Sequence, residues 1–326
     1  MSNFPGGIKS LLSIAARSGS PQVVELLIKS GANVNSLDES GNAPIHWAAT
    51  GGFLDVIHCL SENGADLNLR RRDSRLALHC AIDYEQKEVI DFLLNQGVKI
   101  DECASVMLGR VDIIKKFISQ GFNVNKTYKD LGGYPITDAI RFQQIDTVEF
   151  LIQTGADLHI VLNNSGDSVL HLYRAVEDID IFNLLISSGA DISSKNKQGF
   201  TPLHVAARSS CLDVVKRLVE LGADVNSVGE DGSTPLWQAA YSQNQQTVEY
   251  LLLSGSQVNI SDGFGKTPLQ ATIHRRGGTS SAHTLIAHGA DVNVTDQRGL
   301  RAIHIAAAQG NDELVRLLLE HGANIS

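Results

Sequence analysis

Eleven histidines and four cysteines are the side chains of this 326-residue chain best suited to ligate a metal, move a proton or attack a substrate. Five of the histidines (His46, His79, His171, His204 and His304) occupy one place in a recurring segment, three residues after a helix-capping position. Imidazoles that recur with a repeat are held apart by the spacing of packed helices, roughly 10 Å. That is too far for two of them to share a zinc ion at about 2.1 Å each. They are read instead as structural groups that bond the cap and nearby backbone. The cysteines, Cys59, Cys80, Cys103 and Cys211, lie in different segments with no paired spacing, which fits a reducing compartment better than a disulfide framework. Gly263-Phe264-Gly265-Lys266-Thr267 ends like a phosphate loop, but the position where that motif needs its first glycine is Ile260, and Thr267 is required as a helix cap. There is no nucleophile elbow, no His-Glu-x-x-His, no Cys-x-x-Cys and no dinucleotide fingerprint. No enzyme class, metal, cofactor or small-molecule substrate is indicated.

The elements that carry these residues repeat. The clearest copy spans 199–226. It holds Thr201 as a cap, Pro202 where a missing N–H costs nothing, and Ala206 and Ala207 where a neighbouring helix can approach closely. Val214, Val215, Leu218 and Val219 then form one apolar helix face, and Gly222 stands as the left-handed stop. Glycines at 31, 64, 97, 121, 155, 189, 222, 255, 289 and 322 mark ten such ends, separated by 33 or 34 residues except for one gap of 24. That period signals a stacked helix-pair array. One helix pair has no core of its own, so the copies must lean on one another.

The motifs Thr201-Pro202-Leu203-His204, Thr234-Pro235-Leu236, Thr267-Pro268-Leu269 and Ala43-Pro44-Ile45-His46, with closures such as Gly222-Ala223-Asp224-Val225-Asn226, resemble the ankyrin repeat over essentially the whole chain. The resemblance implies an all-α solenoid of antiparallel helix pairs with projecting β-hairpin loops. It implies one domain over 1–326 with repeats at 8–35, 41–68, 74–101, 100–125, 132–159, 166–193, 199–226, 232–259, 265–293 and 299–326. In that pattern the periodic histidine ties adjacent hairpins together. The resemblance also implies a non-catalytic adaptor that holds a partner protein against its hairpin fingers and first helices, or a regulatory or targeting arm of something larger.

Departures from the pattern carry their own expectations. Repeat 4 lacks nine residues between Gly97 and Asp101, so one finger is expected to be missing while its helices, starting at Ile100, survive. Tyr173 and Arg174 replace small residues in repeat 6 and should hinder close helix approach. In repeat 9 the segment 274–281 should fray or shorten a helix. Ile305, Leu314, Leu317 and Leu318 suggest an apolar last face that further sequence or a partner would cover.

Recognition residues are sought among variable finger and first-helix positions, where aromatic and arginine side chains make the strongest anchors. The candidates are Arg72, Arg75, Tyr84, Arg141, Phe142, Phe200, Arg208, Tyr241, Phe264 and Arg275. The basic run at 70–75 reads either as a solvated hairpin tip or as a contact point for an acidic partner. A net charge of −9 argues against a general nucleic-acid binder. No apolar run reaches the length of a membrane span, and residues 1–10 lack the apolar core of a signal peptide, so a cytoplasmic or nuclear location is expected.

Overall fold

Proline at the first helical position opens the first helix of repeats 2, 5, 7, 8 and 9 at Pro44, Pro135, Pro202, Pro235 and Pro268. Its fixed φ suits a helix start, where its missing N–H has no partner to lose. At the other end of each pair, all ten glycines of the 33-residue series have φ between +74° and +99°, the left-handed conformation that stops the second helix. The computed structural model describes residues 11–128, 133–162, 165–175, 179–209, 211–273 and 279–325.

The chain divides into two parts, 1–156 and 157–326. In the first, α1 (Leu11–Ser18) pairs with α2 (Pro21–Lys29), α3 (Pro44–Gly51) with α4 (Leu54–Glu62), and α5 (Ala77–Asp83) with α6 (Lys87–Asn95). Two more pairs follow: α7 (Glu102–Met107) with α8 (Val111–Ser119), and α9 (Pro135–Arg141) with α10 (Ile145–Gln153). The second part opens with a 3-10 helix, Val169–Ala175, paired with α11 (Ile179–Ser187). It continues with α12 (Pro202–Arg208) and α13 (Leu212–Glu220), then α14 (Pro235–Tyr241) and α15 (Gln245–Leu253). Last come α16 (Pro268–Thr272) with α17 (Thr279–Ala287), and α18 (Ala302–Ala308) with α19 (Asp312–Glu320).

Within each part, first helices stack on first helices and second on second. Fully buried alanines (Ala48, Ala49, Ala206, Ala207, Ala239 and Ala240) allow the close approach, and Leu60, Leu93, Leu151, Leu218 and Leu251 seal each pair. Each such leucine contributes about 1.5–3 kcal/mol by leaving water. Among the described residues there are no strands. The fingers are tight turns closed by a few backbone bonds, as where Asp38 N–H meets the Asn42 carbonyl at 2.9 Å and Gly41 N–H the Asp38 carbonyl at 2.8 Å. In the second part neighbouring fingers touch through backbone bonds, Lys197 to Ser165, Glu230 to Gln198, Gly263 to Asp231 and Gln297 to Phe264, with side-chain bonds such as Gln297 Nε2 to the Gly263 carbonyl beside them.

Closing asparagines bridge consecutive repeats. Asn35 donates to the Gly64 carbonyl and accepts from Asp66 N–H, and Asn226, Asn259 and Asn293 do the same one repeat on.

Three expectations need correction. The first helix of repeat 4 is capped by Asp101, not Ile100: the Asp101 side-chain oxygen takes the Ala104 N–H at 3.0 Å. In repeat 9 the shortened helix is the first, α16, at five residues, while α17 keeps nine; residues 274–278 lie outside those described. Of the apolar residues assigned to the last face, Leu314, Leu317 and Leu318 are buried, because they point back onto α17 and α18. The first helix of repeat 6 is a 3-10 helix in place of an α-helix. All four cysteines are free thiols.

Candidate partner-binding surface

The periodic histidines form a ladder of bonds. In His46, His79, His171, His204 and His304, Nδ1 accepts the backbone N–H of the capping residue at 3.0–3.1 Å. The proton therefore sits on Nε2, which in His46, His171 and His204 points at a carbonyl of the next repeat. It reaches the Leu69 carbonyl from His46, the Phe200 carbonyl from His171 and the Ser233 carbonyl from His204. Burial lowers the pKa of His46 and His171 and holds His204 down to about 4, which keeps the rings neutral. Two other side chains fill the same post. Trp237 Nε1 donates to the Lys266 carbonyl at 3.0 Å, and Gln270 Nε2 donates to the Leu300 carbonyl at 2.8 Å while its Oε1 accepts from Thr267 N–H. Three side-chain chemistries thus make the same bond to the next repeat. Among the described residues, no three His, Cys, Asp or Glu side chains gather as a metal-ligand set.

His79 shows how the missing finger is replaced. No carbonyl faces it, and its Nε2 donates instead to Asp101 Oδ1 at 3.1 Å. The same carboxylate caps α7 and takes Arg70 from the preceding finger at 3.0 Å. Burial would raise the Asp101 pKa, yet the bonds from His79, Ala104 and Arg70 bring it to about 2. Tyr128, from the following loop, fills part of the remaining space, joining the buried cluster of Cys103, Ala104 and Met107.

Of the sequence candidates, five lie in the first part. Arg72 is exposed at its finger, its stem lying where a side chain on Gly41 would be. Arg75, half-buried, pairs with Asp83. Tyr84, at the end of α5, is 60% exposed. Arg141 pairs with Asp138 at 3.7 Å, and Phe142 rests half-buried on the core. The charges of Arg75 and Asp83 also act on Asp138, so Arg75, Asp83, Asp138 and Arg141 form one group, with Tyr84 adjoining. In the second part Arg208 is exposed, Phe264 is 67% exposed, and Tyr241 stacks on Trp237 with ring centroids 5.4 Å apart. Phe200 is a correction: it is only 6% exposed, stacked on His204 and lodged over Gly229, whose missing side chain makes room for its ring. Arg275 lies outside the described residues.

Sequence reasoning missed Asp138. The signal was available: a carboxylate four residues after the cap, where other repeats carry Trp47, Cys80, Leu172 or Val205. Burial pushes its pKa up to about 6, against the pull of Arg141 and Arg75. A folded value above the unfolded one means the native state holds the extra proton, so this group's contribution to stability falls as pH rises from about 4 to about 6, by on the order of 2–3 kcal/mol. Asp138→Asn is therefore expected to be more stable than the parent chain near pH 8 and equal to it near pH 4. Urea titrations at both values check this, and an equal loss at both would show that the buried charge carries no cost.

A family model described as ankyrin repeats (3 copies) matches residues 12–104, 102–194, 170–262 and 236–326. The chain belongs to the ankyrin-repeat family. Curated ankyrin-repeat relatives include the B-cell lymphoma 3 protein homolog of Mus musculus, 31% identical over 195 residues, which cover 59% of this chain and 38% of that one. The NF-kappa-B inhibitor zeta of Bos taurus is 26% identical over 60% of this chain and 29% of its own length. The potassium channel AKT2/3 of Arabidopsis thaliana is 26% identical over 53% and 22%. The matched part of the chain thus spans between about a fifth and two fifths of these relatives. Ankyrin repeats and relatives of this kind support a role in protein interaction. Among the described residues, no helix is long and apolar enough to cross a membrane.

Proposed function

We propose that the chain is a non-catalytic adaptor that holds a segment of a partner protein against the fingers and first helices of repeats 3 to 5. The carrying observation is the group of exposed Tyr84 and Arg141 with half-buried Arg75 and Phe142, on a scaffold whose other first-helix residues are mostly buried. Aromatic and arginine side chains raised on rigid helices lose little freedom on binding, which is what makes them anchors. The relative named an NF-kappa-B inhibitor suggests that such binding restrains a regulatory protein. A second reading, the repeat arm of a larger protein, draws on the partial coverage of relatives that include a potassium channel. The free thiols favour the cytoplasm or nucleus.

The test is capture by the intact chain against a double variant of two exposed residues, Arg72→Glu with Tyr84→Ala. Partners that bind the parent chain should bind the variant at least about tenfold more weakly, a loss of about 1.4 kcal/mol. Binding that survives the double change but is lost when exposed residues of α4 and α6 are altered would move the site to the second helices and sink the proposal.

A further inference from the structure

Around Asp138 the guanidiniums point outward and the carboxylates inward. Arg141 is 53% exposed against 9% for Asp138, and Arg75 32% against 23% for Asp83. Arg141 makes no hydrogen bond among the described residues, only the 3.7 Å ion pair, so its donors remain available to an incoming acceptor. The neighbouring finger adds exposed Arg72, while its Arg70 and Arg71 are paired with Asp101 and Asp73. A chain of net charge −9 therefore presents arginines at its proposed anchoring face. We propose that this face recognises an acidic segment of the partner, with Arg75 and Arg141 as the anion-contacting side chains and Asp138 as the internal carboxylate that competes for Arg141.

Guanidinium binds carboxylate best through two parallel N–H bonds, and a single long contact to Asp138 leaves that geometry open. The groups facing Asp138 are Arg141 on its own helix, Arg75 from the finger, Asp83 on α5, Cys103 on α7 and Tyr128 from the following loop. The thiol and phenol are pushed up by burial and stay neutral, so Asp138 is the group whose charge changes near pH 6. When it takes a proton, Arg141 loses its internal partner and turns wholly to the ligand. Acidification toward the Asp138 pKa should therefore tighten the complex, although glutamates of the partner remain ionised there.

The inference rests on the proposed adaptor reading, and its test separates the two. A display library of random peptides is selected on the intact chain, and a selected peptide is then measured by fluorescence anisotropy. The expected result is enrichment of aspartate and glutamate, with affinity about tenfold weaker in Arg141→Gln and only partly restored in Arg141→Lys, which keeps the charge but not the paired N–H bonds. Affinity should rise about threefold between pH of about 7.5 and 5.5, and Asp138→Asn should bind tightly at both values. Selected peptides without acidic residues, or acidic peptides indifferent to Arg141→Gln and Asp138→Asn but lost with Tyr84→Ala, overturn the acidic-segment inference and leave the adaptor face standing. Peptides indifferent to Tyr84→Ala and Arg72→Glu as well overturn both.

Discussion

Asp101→Ala is expected to destabilise the chain by about 3 kcal/mol near neutral pH, more than any other single charge removal in its first part. Two losses combine. The α7 cap bond to Ala104 N–H disappears, which costs about 1 kcal/mol. His79, only 1% exposed, keeps its Nε2 proton but loses the acceptor, which costs about 1–3 kcal/mol for a buried donor left bare. The Arg70 contact adds little, since that side chain is about half exposed. The pH dependence has a definite sign. With a folded pKa of about 2, below the unfolded value, Asp101 stabilises the chain above pH of about 4 and ceases to do so as pH falls toward 2. Urea midpoints for the parent chain and the variant should therefore converge in acid, and Asp101→Asn, which can still cap α7, should recover about 1 kcal/mol at pH 7. A loss in Asp101→Ala under about 0.5 kcal/mol would mean that the carboxylate does not stand in for the deleted finger.

Gly232→Ala is the second large effect, at about 3 kcal/mol. Gly232 has φ +79°, and a Cβ there would lie 2.5 Å from Gly263 N and 2.9 Å from the Asp262 carbonyl carbon. These are backbone atoms of the next finger, held by the Gly263 N–H bond to the Asp231 carbonyl at 2.7 Å. Relief requires breaking that bond, on top of about 1–2 kcal/mol for a left-handed alanine. Gly255 supplies the control: its φ is +92°, but nothing lies within 4 Å of its absent Cβ, so Gly255→Ala should cost only the conformational part. Thermal unfolding of the two variants distinguishes them. Equal losses would show that close stacking of the fingers is unimportant.

The scaffold was legible because its rules are local and recur. A left-handed glycine ends every copy, and a proline after the cap and a donor three residues on recur in many of them, so averaging over copies suppresses noise. What failed to show depends on neighbours. Phe200 looks like a surface anchor until Gly229 opens a recess for its ring. Trp237 and Gln270 look unlike histidine, yet each makes histidine's bond to the next repeat. Asp138 and Asp101 were overlooked because their roles arise where repeat 4 departs from the period, and departures occur once. The first-part candidates Arg75 and Arg141 were found by residue type alone, and the carboxylates that group them were not.

The replacement at repeat 4 also suggests a rule for building. A projecting loop can be excised from such an array when one aspartate is set at the start of the following helix, because that side chain both begins the helix and receives the preceding histidine. Engineered arrays shortened in this way should keep their register, and the trimmed edge would give a bulky guest room that full-length loops deny.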